Sequence, residues 1–362
     1  YVQDVIQTAV KDWGYPYLKL DFLYAAALPG SHHDPTKTRA QVLRQALEMI
    51  REEAGSETIL LGCGCPIGSG IGVFDMMRIS ADVSPEWEPN IYGIKKPFRN
   101  EPNMPCARNA IQNIITRAPM DPHWWVNDPD CLLVRADSKL TLPEVQSLAT
   151  AISLSGGALL LSDDMSKLSE DRLRIAQSLL PLLPPNPQVV DLFEKPMPTK
   201  MRKVLHTPAG ERQVIALFNW SDKPQDLVLD MKAFCLNGQP WLMREFWTGE
   251  WAEVDAQHVF HQVPAHGVRL MTLSQQQDIA YLGSDLHLSQ GIELASWQLG
   301  GSNLSFELNL GHEAEGRIYL YCQSVPSAVK VDGKEVSWIQ ETEKLISIAL
   351  SVAEKICVNL AF

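Results

Sequence analysis

The first half of the chain alternates short apolar runs with longer stretches whose apolar residues recur at helical spacing. In Thr38–Ala54, for example, Val42, Leu43, Ala46, Leu47 and Ile50 fall on one helical face. The predicted helices are Thr38–Ala54, Pro105–Arg117, Leu142–Leu154 and Ser169–Leu180. The predicted strands are Tyr17–Leu20, Thr58–Leu61, Asp75–Ile79, Trp124–Val126 with Cys131–Val134 close behind, and Ala158–Leu161. Strands that alternate with helices are typical of βα units around a parallel sheet.

The helical spacing of apolar residues ends at the proline-rich run Pro181–Pro187, which is incompatible with helix and strand alike. Beyond it, short strands are separated by turns such as Asn237-Gly238, a pattern typical of an antiparallel β-sandwich region. The predicted domains are therefore 1–187 and 188–362, with a subdivision near 275–280. The stretch Leu345–Leu360 is compatible with either strand or helix.

Polar side chains follow each predicted strand of the first half at its carboxyl end. Lys19 and Asp21 frame the end of the first strand, and Arg78 and Asp82 that of the third. The other strands lead into Cys63 to Pro66, into Asn127 to Asp130, and into Asp163 and Asp164. In a (β/α)₈ barrel the active site is built from these loops. A doubly wound sheet would also bind ligands there, but the chain has no G-x-G-x-x-G or GxxxxGK[ST] phosphate loop.

Carboxylates at these strand ends favour glycosidic bond hydrolysis. A retaining glycosidase needs a nucleophilic carboxylate and a carboxylic acid about 5–5.5 Å apart. Asp21 and Asp82 are the candidates, with Lys19 and Arg78 beside them to hold sugar hydroxyls. Trp87 is a candidate for stacking on a sugar face, with core packing as the alternative. Acyl transfer is disfavoured because no G-x-S-x-G elbow is present.

Composition narrows the function classes further. The 362 residues carry 31 Lys and Arg against 43 Asp and Glu, a net charge of −12, which argues against a nucleic-acid or anionic-membrane surface. No apolar run approaches the 18 or more residues of a membrane span. Seven scattered cysteines, an odd number, favour reduced thiols and a cytoplasmic location. The sequence begins at Tyr1, so it carries no information on targeting.

Several motifs in order resemble glycoside hydrolase family 36, the melibiase-type α-galactosidases. They are Tyr17-Leu-Lys-Leu-Asp-Phe22, Cys63-Gly-Cys-Pro66, Arg78-Ile-Ser-Ala-Asp82 and Trp124-Trp-Val-Asn-Asp-Pro-Asp130, the last similar to a segment of the related family 27. The resemblance covers roughly residues 1–273. The cysteine loop departs from the frequent Cys-x-x-Gly-Gly, and Lys-Leu-Asp replaces the frequent Lys-Trp-Asp.

The resemblance implies a role for each matching residue. Asp21 corresponds to the nucleophile that forms a galactosyl-enzyme, and Asp82 to the general acid/base. Lys19, Cys63 and Arg78 correspond to residues that bind the sugar. Asp128 is a further candidate for substrate binding, and its segment Asn127 to Asp130 either supports the catalytic carboxylates or forms a plain turn. The family uses neither metal nor cofactor. The expected ligands are α-galactoside oligosaccharides or glycoconjugates.

The same resemblance places Asp21 at the end of the fourth barrel strand. We therefore expect α/β plus all-β architecture: about strands 4–8 of a (β/α)₈ TIM barrel, followed by an antiparallel β-sandwich region. The expected partners are an N-terminal barrel segment or a completing chain, and a homo-oligomer is a further hypothesis.

Two kinds of alternative stay open. Within the same fold, a raffinose-synthase-like α-galactosyltransferase or an α-N-acetylgalactosaminidase would carry the same motifs. The alternative from another functional class is an inactive carbohydrate-binding fragment that lacks the first barrel strands.

Overall fold

The computed structural model of the protein describes residues 1–94, 99–236 and 238–362. The predicted turn at Asn237-Gly238 has its first residue outside this set. Within the described residues, no helix combines the length and the hydropathy that crossing a bilayer requires.

Four parallel strands form the first sheet in sequential order: β1 (Tyr17–Leu20), β2 (Ile59–Gly62), β3 (Met76–Arg78) and β4 (Val126–Asp128). The register places Lys19 opposite Leu61, Leu61 opposite Met76, and Met76 opposite Val126. A parallel pair, β5 (Cys131–Leu132) and β6 (Leu160–Leu161), follows. Because the strands run in parallel, their carboxyl ends meet at one edge, where the candidate site residues lie.

Helices connect these strands in the βα manner. They are α1 (Val2–Gln7), α2 (Arg39–Ala54), α3 (Ile67–Gly70), α4 (Ala107–Arg117), α5 (Leu142–Ser155) and α6 (Glu170–Gln177). Thr38 and Gln41 form a capping box at the start of α2, as do Thr141 and Glu144 at the start of α5. Short 3₁₀ turns lie at Leu23–Ala27, Ala118–Met120, Met165–Lys167 and Met231–Phe234, and a π-helical turn at Thr8–Asp12.

The structure changes several predicted boundaries. The predicted strand Trp124–Val126 is displaced by two residues, because β4 pairs through Val126, Asn127 and Asp128. The helix predicted at Ser169–Leu180 is shorter, with Ser169 as its N-cap and Gln177 as its last residue. The ambiguous stretch Leu345–Leu360 forms two strands.

The first β region packs two sheets together. Its strands are β7 (Gln188–Val189), β8 (Lys200–Thr207), β9 (Gly210–Phe218), β10 (Gln225–Asp230), β11 (Trp241–Glu245), β12 (Trp251–Val254), β13 (Gln257–Val263) and β14 (Val268–Gln275). The larger sheet has the order β12-β11-β14-β9-β8-β7, and β10 pairs with β13. Ile215 and Leu217 of β9 point into this sandwich, whereas Val214, Ala216 and Phe218 pack with the core of α4 and α5. This alternation attaches the sandwich to the barrel helices through a strand buried on both faces.

The second β region begins after residues 276–278. It contains β15 (Ile279–Ser284), β16 (Leu294–Gly300), β17 (Asn303–Asn309), β18 (Ala314–Cys322), β19 (Ala328–Val331), β20 (Lys334–Glu335), β21 (Ile339–Gln340), β22 (Leu345–Val352) and β23 (Lys355–Ala361). Two sheets, β15-β18-β22-β21 and β16-β17-β23-β19-β20, enclose a separate apolar core. The all-β half therefore consists of two sandwiches.

Candidate active site

Asp21 lies in the first position after β1, where the backbone turns sharply. The next residue, Phe22, adopts the left-handed conformation with φ of 56°. Its N–H donates to Asp21 Oδ1 at 2.7 Å, which fixes the orientation of the carboxylate. A non-glycine residue in this region of φ/ψ space costs free energy and is often found at functional sites.

The Cys63 thiol donates a second hydrogen bond to the Asp21 carboxylate. This bond, followed by the one from Phe22, holds the pKa of Asp21 below its ordinary value. Burial, followed by the contact with Asp21, raises the pKa of Cys63 to about 11, so the thiol keeps its proton at neutral pH. The Asp21 carboxylate is therefore ionised and is held in one orientation by two hydrogen-bond donors, as a nucleophile requires.

Backbone hydrogen bonds tie the Asp21 turn to the cysteine loop. Cys63 N–H donates to Leu20 O at 2.8 Å, and Tyr24 N–H donates to Gly64 O at 2.7 Å. Gly64 has φ of 58°, and a Cβ there would lie 3.3 Å from the Tyr24 ring. A glycine at this position lets the two loops approach each other closely.

Arg78, at the end of β3, holds three carboxylates. Its Nε lies 3.1 Å from Asp128, one terminal nitrogen 2.8 Å from Asp130, and the other 3.1 Å from Asp82. Burial lowers the pKa of Arg78, but the charges of Asp128 and Asp130 outweigh it and leave the pKa raised. The guanidinium is thus a fixed positive charge at the strand ends.

Asp128 is completely buried and lies beneath this network. It accepts the hydrogen bond from Arg78 Nε, and Lys19 Nζ lies 3.9 Å from the same oxygen. Asp128 therefore holds the two cations that were predicted to bind sugar, and it is absent from the lining of the cavity described below.

Asp21 and Asp82 line one open cavity of about 740 Å³ at the carboxyl ends of β1–β3. The Asp82 side chain is 71% exposed, whereas Arg78 below it is 8% exposed. The cavity is lined by Asp21, Phe22, Tyr24, Cys63, Gly64, Cys65, Pro66, Ile67, Arg78, Ser80, Ala81, Asp82, Asn103 and Arg117. Of the predicted site residues, the structure brings Asp21, Cys63, Arg78 and Asp82 to this cavity.

Trp87 lies elsewhere. Its ring is buried in the core of α4, α5 and the first sandwich, where it stacks on His266 with a centroid distance of 4.3 Å. The alternative of core packing therefore describes its position, and the cavity lining lacks it.

The two carboxylates at the end of the last predicted strand, Asp163 and Asp164, accept hydrogen bonds from backbone amides. The Asp163 side chain is buried and accepts hydrogen bonds from the amides of Val134 and Arg135. Asp164 is the N-cap of the 3₁₀ turn Met165–Lys167 and accepts from the Ser166 amide. Among the described residues, no group of three or more His, Cys, Asp or Glu side chains is arranged to hold a metal ion.

Sequence reasoning missed several residues at the site. Asp130 was noted only as part of a motif, yet it contacts Arg78 and the Val83 amide. Phe22 and Tyr24 carry a sequence signal, since both aromatic residues lie within three positions of the predicted nucleophile. Asn103 and Arg117 come from the loop before α4 and from its end, so only the tertiary fold brings them near.

Comparisons with solved structures show proteins of related architecture. An α-galactosidase from Thermus thermophilus in complex with stachyose aligns at 31% identity over 47% of this chain and 35% of its own, with a TM-score of 0.39. α-Galactosidase I from Mortierella vinacea aligns at 15% identity over 76% of this chain and 71% of its own, with a TM-score of 0.54. A family 27 β-L-arabinopyranosidase from Geobacillus stearothermophilus, in complex with arabinose, aligns at 16% identity over 76% and 62%, with a TM-score of 0.55. No protein-family model matches the sequence.

The fold is that of the α-galactosidase-like glycoside hydrolases, with part of a TIM barrel followed by β-sandwich structure. This confirms the predicted fold class. The chain spans about a third of the length of the Thermus enzyme to which it is similar.

Proposed function

We propose that this chain carries the catalytic site of a retaining, exo-acting glycoside hydrolase that cleaves terminal α-galactosides. The observation that carries the proposal is that Asp21 and Asp82 line one cavity around the buried Arg78. The family 36 motifs supply the substrate class and the family assignment, both of which are part of the proposal.

In the first step, an Asp21 oxygen forms a bond to the anomeric carbon while the bond from that carbon to the leaving oxygen breaks. Asp82, as the carboxylic acid, gives its proton to the leaving oxygen. In the second step, Asp82 takes a proton from water, the water oxygen attacks the anomeric carbon, and Asp21 is released. The hydrogen bonds that Asp21 accepts from the Cys63 thiol and the Phe22 amide support its role, because they keep the carboxylate ionised and oriented.

The acid/base role requires Asp82 to turn from Arg78 towards the glycosidic oxygen. Its high exposure leaves the side chain room for this movement. Arg78 keeps its contacts with Asp128 and Asp130 meanwhile, so the positive charge beside the sugar stays in place.

The test is hydrolysis of p-nitrophenyl α-galactoside by the protein and by Asp21→Asn and Asp82→Asn variants. Asp21→Asn removes the nucleophile, so we expect kcat to fall by at least about 10³-fold. Asp82→Asn should reduce turnover most for poor leaving groups, because those depend on protonation. The control is Asp255→Asn, an exposed carboxylate in the turn between β12 and β13.

Two results would contradict the proposal. If Asp21→Asn hydrolyses p-nitrophenyl α-galactoside at the wild-type rate, Asp21 is not the nucleophile. A higher kcat/KM for p-nitrophenyl β-L-arabinopyranoside than for the α-galactoside would replace the substrate class, since an arabinopyranosidase shares this fold.

A further inference from the structure

The second sandwich keeps one of its two sheets free of the rest of the protein. The sheet that contains β15, β18 and β22 is covered on its outer side, because Leu282 and Tyr321 pack with Leu242 of the first sandwich. Arg244 stacks on Tyr319 at the same junction. The other sheet, β16-β17-β23-β19-β20, packs one face into the apolar core of its own sandwich. Its opposite face points away from both cores.

A row of polar side chains crosses this free face. Gln298, Ser305, Asn359 and Lys330 are paired directly from strand to strand across β16, β17, β23 and β19. Their neighbours along β17 and β23 are buried in the core, so the alternation of a strand places the row on the outer face. Ser305 and Asn359 are half-buried in the middle of the row, whereas Gln298 and Lys330 are exposed at its ends.

Small residues next to this row make the face concave. The adjacent row consists of Gly300, Asn303, Ala361 and Ala328. Three of these four residues have no side chain beyond Cβ, so they leave room for an open cavity of about 630 Å³. The polar row lines this cavity together with Leu299, whose side chain is half exposed. The volume lies within the range of about 300–1,000 Å³ that is usual for small-molecule sites.

The polar side chains around the cavity have unused hydrogen-bonding capacity. Within the described part of the chain, three of the four side chains in the polar row make no hydrogen bond or ion pair. The fourth, Asn359, donates to Cys357 Sγ at 3.4 Å. Further along the same face the polar groups satisfy one another, because Lys355 pairs with Glu307 at 2.9 Å. The free donors and acceptors therefore gather at the cavity.

The types of side chain in the lining define the chemistry of a ligand. Three amides and one hydroxyl line the cavity, and each of these groups both donates and accepts hydrogen bonds. Among the described residues of the lining, Lys330 alone is charged, which is a poor match for an anion. An apolar ligand would leave the amides unpaired. A neutral sugar matches the lining, because its hydroxyls pair with the amides and its C–H groups contact Leu299.

We propose that this cavity is a second, non-catalytic carbohydrate site that binds a neutral oligosaccharide. The catalytic cavity is built from β1–β3 in the first half of the chain, so the two sites can be occupied at once. A polysaccharide held at the second site would have its reactive ends at a raised effective concentration around the catalytic cavity. The site itself is inferred from the β16–β23 sheet, whereas the choice of an α-galactoside polysaccharide as its ligand rests on the proposed function.

The test is native gel electrophoresis through galactomannan, a neutral polysaccharide that carries α-galactosyl branches. Binding retards the protein relative to its migration in a gel without polysaccharide. The double variant Gln298→Ala with Asn359→Ala removes two amides, and Ala328→Arg instead fills the space beside them. Asn309→Ala, at an exposed asparagine of β17 outside the cavity, is the matched control. Thermal unfolding verifies that each variant is folded.

We expect the double variant and Ala328→Arg to bind galactomannan at least about tenfold more weakly, because hydrogen bonds to the sugar are lost. Asn309→Ala should migrate like wild type. All of these proteins should hydrolyse p-nitrophenyl α-galactoside within about twofold of the wild-type rate, because that substrate is too small to reach both sites. Release of galactose from galactomannan should fall about fivefold in kcat/KM for the two cavity variants.

The outcomes separate this inference from the proposed function. Wild-type protein that is not retarded by galactomannan would overturn the inference. Equal retardation of wild type and both cavity variants would also overturn it, since the polysaccharide would then bind elsewhere. Protein that is retarded through this cavity but does not hydrolyse p-nitrophenyl α-galactoside would support the second site and refute the proposed function.

Discussion

At the scale of single residues, the chemistry of Asp21 is set by its immediate neighbours. The thiol of Cys63 and the amide of Phe22 both donate to it, and Lys19 and Arg78 add positive charge. The hydrogen bond from Cys63, followed by the one from Phe22, lowers the pKa of Asp21 most, and these contributions outweigh burial, which raises it. A cysteine that was predicted to contact the sugar therefore also positions the proposed nucleophile.

We predict that Cys63→Ala moves the acidic limb of the kcat/KM profile to higher pH. The nucleophile must be ionised, so activity is lost as the pH falls through the pKa of Asp21. Removing the thiol donor raises that pKa, and the loss then begins at a higher pH. At neutral pH we expect kcat/KM to fall about tenfold, since one hydrogen bond to a charged group is lost.

Cys63→Ser is the matched variant, because its hydroxyl can still donate to Asp21. Its acidic limb should stay close to wild type, and pH–rate profiles of the three proteins provide the comparison. An unchanged limb in Cys63→Ala would contradict the positioning role.

The structure places Asp21, Cys63, Arg78 and Asp82 at one cavity, as expected for residues at the strand ends of a parallel sheet, which meet at one edge. The sequence alone could not show which residues surround Asp128 and Trp87. Asp128 is buried by contacts with Arg78 and Lys19, and Trp87 is covered by His266 from a strand turn 179 positions later. Periodicity describes an element's own faces but not the partner that a distant element supplies.

At the scale of elements, the segment between β3 and α4 is attached to the first sandwich. His266 stacks on Trp87, and its ring nitrogens lie 2.7 Å from Glu144 and 3.0 Å from Asp222. Arg99 adds a bridge from Glu88 to Asp222. This cluster connects the segment that follows Asp82 to α5 and to the turns of the sandwich.

We predict that protonation of His266 stabilises this attachment. Burial lowers the pKa of His266, but the hydrogen bonds and charges of Glu144 and Asp222 outweigh it, and the pKa ends above its ordinary value of 6.5. The stabilisation is therefore fully present below pH 6.5 and is lost as the pH rises through the raised pKa. His266→Gln should unfold more easily by about 1–3 kcal/mol at pH 6, with the difference from wild type shrinking at alkaline pH.

Thermal and urea unfolding across this pH range provide the measurement. His258→Gln is the control, because His258 pairs with Glu250 at the edge of the same sandwich. A pH-independent difference between His266→Gln and wild type would contradict the role of its charge.

The displacement of β4 shows where pattern-based prediction of elements fails. Trp124 and Trp125 suggested a strand, but the strand is formed by Val126, Asn127 and Asp128. Asn127 is buried because its side-chain amide donates to Ala118 O and its backbone accepts from Ala158, and Asp128 is buried because Arg78 pairs with it. A buried strand whose polar side chains are all hydrogen-bonded does not show the run of apolar residues by which a buried strand is recognised in a sequence.

At the scale of the whole molecule, the β1–β4 sheet presents a face that would line the interior of a closed barrel. Tyr17, Ile59 and Val126 are each more than two-fifths exposed on it. The hypothesis that further barrel strands, from an N-terminal segment or another chain, complete this face stays a prediction. Native mass spectrometry with activity measurements tests it, because a fully active 40.4 kDa monomer would contradict it.

The two sandwiches are joined by arginines buried between them. Arg212 of β9 donates to Tyr281 O at 2.6 Å and to Leu282 O at 2.8 Å, both in β15. Arg244 of β11 donates to Ser284 O at 3.0 Å and stacks over the Tyr319 ring at 3.9 Å. Burial lowers the pKa of Arg212 to about 10, so it stays charged at neutral pH. Each guanidinium thus fixes the first strand of the second sandwich to the sheet of the first.

We predict that Arg212→Met weakens this connection. The methionine fills part of the space, but the carbonyls of Tyr281 and Leu282 lose their donor inside the protein, and the unfolding free energy should fall by about 2–4 kcal/mol. Lys330→Met removes an exposed charge from the second sandwich and should leave stability within about 0.5 kcal/mol of wild type. Urea unfolding followed by tryptophan fluorescence compares the three proteins. Removing a buried guanidinium that joins the two sandwiches should lower stability. If Arg212→Met instead unfolds at the same urea concentration as wild type, the prediction is wrong and other contacts hold the sandwiches together.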